Sequence, residues 1–139
     1  MAIPDSALLV IDMQHGLLYG DPAPHAADSV LSNILLLTEK AKLAGAPVFF
    51  ARHTGPDNSP FSEQSPLTQL IPKLVVHAEK DRIFIKKFPS CFRETELLPA
   101  LRQRGIKRLI ISGMKTEFCI DTTCRMATKL GFQVVLISD

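Results

Sequence analysis

Ala7-Leu8-Leu9-Val10-Ile11-Asp12 is an unbroken apolar run that stops on a carboxylate. A strand with one wet face alternates apolar and polar residues. A run without a polar break is a strand buried on both faces, which calls for a parallel sheet covered by helices. Similar runs follow at Val48-Phe49-Phe50-Ala51, Arg82-Ile83-Phe84-Ile85, Arg108-Leu109-Ile110-Ile111 and Gln133-Val134-Val135-Leu136-Ile137. Helical patterns lie between them. Val30, Ile34, Leu37 and Ala41 share one face, widened by Leu31 and Leu35, and Gly45 and Pro47 stop that helix. Thr95 is placed to cap a short helix through Leu97, Leu98 and Leu101, closed by Gly105, with Pro99 tolerable near its start. A last helix carries Ile120, Thr123, Ala127 and Leu130 along one face and ends at Gly131. Strands alternating with helices predict an α/β fold: a three-layer α/β/α sandwich with a mainly parallel, Rossmann-like sheet and right-handed crossovers. No repeat or linker interrupts residues 1–139, so one domain is expected.

Composition narrows the classes of function. With 46% apolar and 22% charged residues, the 139-residue chain reads as an ordinary globular domain. A net charge of +2 gives no case for nucleic acid or an anionic membrane. No apolar run approaches the ~20 residues that span a bilayer. Met1-Ala2-Ile3-Pro4-Asp5 lacks the basic and apolar regions of a signal peptide. The three cysteines suit neither a disulfide framework nor a zinc site, so free thiols in a reducing cytoplasm are expected.

The chemistry collects at the carboxyl ends of the strands, where open parallel sheets place their ligands. Asp12 ends the first run, either as a site residue or as a cap for the next turn. His53 ends the second, where a hydrogen-bonded or solvated role is favoured over substrate contact. Lys86 and Lys87 end the third. Ser112 to Cys124 turns from the fourth strand into the last helix, with Cys119 about one turn inside it. There, unpaired N–H groups and the helix dipole would lower a thiol pKa and could hold an oxyanion. The competing reading is a small buried apolar cysteine. A parallel sheet points its carboxyl ends one way, so Asp12, Lys86 and Cys119 can meet. A carboxylate beside a thiol can act as its base, and an ammonium favours both charged forms. His15, His25 and His77 have no metal-ligand spacing. Cys91 and Cys124 are read as structural. The excursions at 15–25 and 54–72 are expected to line a pocket.

Three motifs carry a resemblance. Leu9-Val10-Ile11-Asp12-Met13-Gln14, then Lys86 with Phe92 six residues on, then Gly113-Met114-Lys115-Thr116-Glu117-Phe118-Cys119-Ile120 followed by Thr122, Thr123 and Ala127, occur in order. Together they resemble the isochorismatase-like cysteine hydrolases, which include nicotinamidases, N-carbamoylsarcosine amidases and ureidoacrylate amidases. The resemblance implies a catalytic triad. Cys119 would attack a carbonyl and form a thioester, Asp12 would carry the proton, and Lys86 would hold the pair. Lys86 is preferred to Lys87 by its spacing to Phe92 and because adjacent strand residues face opposite ways. It also implies a cis peptide at Met114–Lys115, with the N–H groups of Lys115 and Cys119 as oxyanion hole. Gln14, Phe61 and Phe92 are candidates for the substrate pocket, with core packing the favoured reading for Phe92. Nicotinamidases of this group bind a metal through Asp-x-His after the second strand. Here Arg52-His53-Thr54-Gly55 stands there, so no metal and no cofactor is expected. Family members continue past the fifth strand with another helix and strand, so the single domain at 1–139 is expected to lack that part: either the sequence is a piece of a longer chain, or a short protein completes its pocket with a neighbouring subunit, and a homo-oligomer is expected. The expected partner is a small amide, cleaved at its C–N bond. The alternatives are a thiol redox protein, with Cys119 reactive toward peroxide, and a catalytically silent member of the group.

Overall fold

Each apolar run forms a strand in the computed structural model, which describes residues 5–14, 27–77, 79–113 and 119–137. In chain order the elements are β1 (Ser6–Ile11), α1 (Ala27–Leu43), β2 (Val48–His53), β3 (Arg82–Lys86), α2 (Leu97–Gln103), β4 (Arg108–Gly113), α3 (Asp121–Lys129) and β5 (Gln133–Leu136). The sheet order is β3-β2-β1-β4-β5, and every pairing is parallel. Reversal of direction at β1 makes its carboxyl end the switch point where such sheets bind ligands.

The absence of polar breaks has the expected consequence. All of β1 is buried, and its side chains divide between two cores. Ala7, Leu9 and Ile11 join Phe49, Ala51, Phe84, Leu101, Leu109, Ile111 and Ala127 on the face that α2 and α3 cover. Leu8 and Val10 join Val48, Phe50, Leu31 and Ile34 on the face under α1. Side chains of this size gain roughly 1.5–3 kcal/mol each on full burial, so the two cores hold the layers together. The N-cap of α2 is Glu96, one residue past the expected Thr95 and without a side-chain cap bond; the Thr95 hydroxyl accepts from the Leu97 N–H at 3.3 Å and donates to the Cys91 carbonyl.

Strands reach further than their apolar runs. β2 continues through His53, β3 through Lys86 and β4 through Gly113, in a register that pairs His53 with Lys86 and Ile11 with Gly113. Gly113 has φ +141°, and a Cβ there would lie 2.1 Å from the Ile11 carbonyl oxygen. Only glycine lets β4 come this close to β1.

The excursion after β2 is a hydrogen-bonded collar over the carboxyl end of the sheet. It contains a short 3-10 turn at Pro66–Thr68. Arg52 Nε donates to the Thr68 carbonyl at 3.0 Å, the buried Thr68 hydroxyl donates to the Ser62 carbonyl at 2.9 Å, and the Ile71 N–H bonds the Met13 carbonyl. Among the described residues no helix is long and apolar enough to cross a membrane.

Candidate active site

Three strand ends and the approach to α3 deliver four side chains to one point. Asp12 follows β1 with φ +60°, a left-handed conformation uncommon outside glycine and more accessible to Asp than to most residues. Such conformations cost of order 1–3 kcal/mol and gather at functional sites. Lys86 is the last residue of β3 and His53 the last of β2. Cys119 lies two residues before Asp121, the first residue of α3, in a π-helical turn that runs directly into that helix.

Lys86 is the hub. Its Nζ lies 3.1 Å from Cys119 Sγ, 3.0 Å from His53 Nδ1, 3.3 Å from the Phe88 carbonyl oxygen and 3.3 Å from Asp12 Oδ1. Asp12 and Lys86 are 0% exposed and Cys119 is 4% exposed. Lys87, its neighbour, points to solvent, as strand alternation requires. Buried lysines and aspartates are tolerated only when paired, and these two pair with each other. Neither Asp12 oxygen has a hydrogen bond of ordinary geometry among the described residues. A buried carboxylate with open lone pairs is rare enough to need an explanation, and a neighbouring proton that it is placed to accept supplies one.

That proton is on Cys119. Burial raises the thiol pKa above its ordinary value, and Asp12 raises it further, both as a negative charge and as acceptor of the thiol proton; Lys86 opposes them. The expectation of a lowered pKa is therefore corrected. The cysteine is enclosed, faces a carboxylate, and rests as a neutral thiol. Cys91, fully buried, is pushed up to about 12 by burial. Cys124 is half-buried with its pKa raised by burial and Asp121. All three cysteines are free.

Ligand atoms of Asp12, His53 and Cys119 lie within 4.8 Å of one another, a spacing that a metal ion could bridge. The Lys86 ammonium stands 3.0–3.3 Å from all three. A divalent cation among them would sit against this buried positive charge, so the cluster does not fit a metal.

The expected pocket residues have different surroundings. Gln14 is fully buried, and its amide engages backbone. Nε2 donates to the His53 and Thr68 carbonyls at 2.8 and 2.7 Å, and Oε1 accepts from the His53 N–H at 2.7 Å. Both of its donors serve the protein chain. Phe61 is half-buried in the collar, where its carbonyl accepts from the Gly55 N–H at 2.6 Å. Phe92 packs against the core and stacks on Phe132 at 6.2 Å. It also lines a cleft of about 590 Å3 with Phe88, Leu98, Thr122, Met126 and Leu130. Lys115 and the Met114–Lys115 peptide lie outside the described residues, as do His15 and His25. His53 is hydrogen-bonded, as its place at a strand end favours, and its partner is Lys86 opposite it on β3.

Known proteins share the sequence pattern and the fold. Residues 6–139 match the sequence profile of the isochorismatase domain. The isochorismatase family protein YecD of Escherichia coli O157:H7 is 32% identical over 146 residues, covering 96% of this chain and 78% of that protein. Nicotinamidase 3 of Arabidopsis thaliana is 31% identical over 149 residues, covering 96% and 71%. The crystal structure of an isochorismatase from Pseudomonas putida KT2440 superposes with a TM-score of 0.88 at 29% identity, covering 99% of this chain and 70% of the other. Sheet order, buried Asp-Lys-Cys cluster and sequence similarity converge, and the chain belongs to the isochorismatase family of hydrolases.

Proposed function

We propose that the protein is a cysteine hydrolase that cleaves the C–N bond of a small amide through a thioester on Cys119. The observation that carries this reading is the buried Lys86 ammonium set between Asp12 Oδ1 at 3.3 Å and Cys119 Sγ at 3.1 Å. Similarity to a nicotinamidase supports an amide as the substrate class. Nicotinamide itself is not favoured, because Arg52-His53-Thr54-Gly55 replaces the metal-binding Asp-x-His.

The chemistry runs in two halves. Asp12 takes the thiol proton as Sγ bonds to the carbonyl carbon, and the carbonyl electrons move to oxygen. The Cys119 and Lys115 N–H groups are assigned to that oxyanion. The tetrahedral adduct collapses, the C–N bond breaks, and Asp12 returns its proton to the leaving amine. Water then adds to the thioester with Asp12 as base, releasing the carboxylic acid and restoring the thiol. Lys86 keeps its charge throughout and balances whichever of Asp12 and Cys119 is negative. The raised thiol pKa favours this coupled proton transfer over a standing thiolate of the kind a peroxide sensor needs.

Intact-mass spectrometry during incubation with a panel of small primary amides and N-carbamoyl compounds tests the proposal. A mass increment equal to the acyl group, mapped to Cys119 and missing in Cys119→Ala, is expected. Turnover of an amide by Cys119→Ala would refute the nucleophile.

A further inference from the structure

We infer that His53 is a positioning residue for the Lys86 ammonium, and that Gln14 is the clamp that aims it. An ammonium has three N–H bonds and no acceptor. Lys86 makes three hydrogen bonds, to Cys119 Sγ, the Phe88 carbonyl and His53 Nδ1. The Asp12 contact at 3.3 Å is an ion pair without a hydrogen bond of ordinary geometry. The hydrogen-bonding capacity of the ammonium is therefore filled, and one third of it is filled by His53. Remove that acceptor and the head group, on a four-carbon stem, is free to turn its third proton toward Asp12. That turn would occupy the carboxylate lone pairs meant for the thiol proton.

Two features show that the imidazole is held in place. His53 and Lys86 are register partners at the last positions of β2 and β3. Both backbone polar groups of His53 are taken by the Gln14 side chain, the N–H at 2.7 Å and the carbonyl at 2.8 Å. Gln14 is 0% exposed and also bonds the Thr68 carbonyl, which ties the collar to the same point. Because the ammonium donates, Nδ1 accepts and the ring proton belongs on Nε2. Among the described residues, the ionisable groups facing the ring are Lys86 from β3, Asp12 from the end of β1 and Cys119 from ahead of α3. Arg52 on its own strand is directed to the Thr68 and Glu63 carbonyls.

The role in turnover rests on the hydrolase reading, so the test uses readouts that need no amide substrate. The first is the imidazole nitrogen chemical shifts of His53 at neutral pH. They should report the Nε2–H tautomer, and an Nδ1–H tautomer would overturn the inference. The second is the rate of Cys119 alkylation by iodoacetamide, followed by peptide mapping. His53→Leu should slow it about fivefold at pH 7.5, the worth of one ordinary hydrogen bond. His53→Asn, whose side-chain oxygen reaches the place of Nδ1, should return to within about twofold of the parent. His53→Gln, with its oxygen one bond further out, should behave as Leu does. An unchanged rate in Leu, or no recovery in Asn relative to Gln, overturns the inference. If the parent hydrolyses no amide, these measurements still decide the role of His53, so the two failures are distinguishable.

Discussion

Replacing Lys86 by Met keeps the length of a fully buried side chain and deletes its charge. The consequence follows from what surrounds Nζ. Asp12 is 0% exposed, its ion pair is with Lys86 at 3.3 Å, and neither of its oxygens has a well-formed hydrogen bond among the described residues. Lys86→Met therefore leaves a buried carboxylate without compensation, an event that costs about 3–5 kcal/mol. Asp12→Asn/Lys86→Met removes both charges and should cost only about 1–2 kcal/mol relative to the parent, the price of imperfect polar packing. Urea unfolding at pH 7, with slopes matching the parent, measures both values. The double variant is thus expected to be more stable than the single one, by about 1–4 kcal/mol. Both variants should lose hydrolysis, which separates stability from chemistry. A Lys86→Met variant within about 1 kcal/mol of the parent would refute the reasoning, as would a double variant no more stable than the single.

Gly113→Ala forces a Cβ to within 2.1 Å of the Ile11 carbonyl oxygen at a φ of +141°; a stability loss of about 2 kcal/mol or more is expected in chemical denaturation. Asp81 accepts from the Val48 N–H and the His77 N–H, each at 2.9 Å, and fixes the start of β2. Asp81→Ala should cost about 2–3 kcal/mol by the same measurement, and a loss under 0.5 would count against the clamp. Burial pushes the Cys91 thiol from 9.0 to about 12. A thiol whose folded pKa is raised contributes stability that is complete below its unfolded pKa and lost as pH rises through the folded value. Parent stability should therefore decline between pH 9 and about 12 by an amount approaching about 4 kcal/mol, and Cys91→Val should decline less over the same range.

The sheet was legible because its signal is local. Each strand is an apolar run; β1, in the middle of the sheet, is buried at every residue, whereas the edge strand β5 is mostly exposed and β3 only partly buried. The convergence of Asp12, Lys86 and Cys119 was legible for a topological reason: parallel strands end on one side. What escaped depends on neighbours remote in sequence. The N-terminal approach to α3 suggested a lowered thiol pKa. Enclosure of Cys119 and the nearness of Asp12 outweigh it, and both come from tertiary packing. Gln14 closes the first motif, two residues past Asp12, and is expected in the pocket. Its amide in fact bridges β2 and the collar, a role set by His53 and Thr68. The segment after His53 reads as loop by composition, yet the Thr68 hydroxyl and the Arg52 guanidinium bind it into a fixed structure.

A raised thiol pKa is no obstacle to the proposed nucleophile, and charge counting shows why. At rest the cluster holds Asp12 negative, Lys86 positive and Cys119 neutral, so its formal charge is zero. Passing the thiol proton to Asp12 makes the carboxyl neutral and the sulfur negative, and the sum is unchanged. The burial that penalises release of the proton to solvent therefore does not penalise its transfer across the site. Lys86 touches both partners, at 3.3 and 3.1 Å, and follows the charge without moving. The same enclosure suppresses a free thiolate, the species that peroxide would oxidise. On the proposed reading, a cysteine arranged in this way becomes nucleophilic when a substrate carbonyl is present to take the electron pair, and this coupling would turn a buried, unreactive thiol into a hydrolytic one.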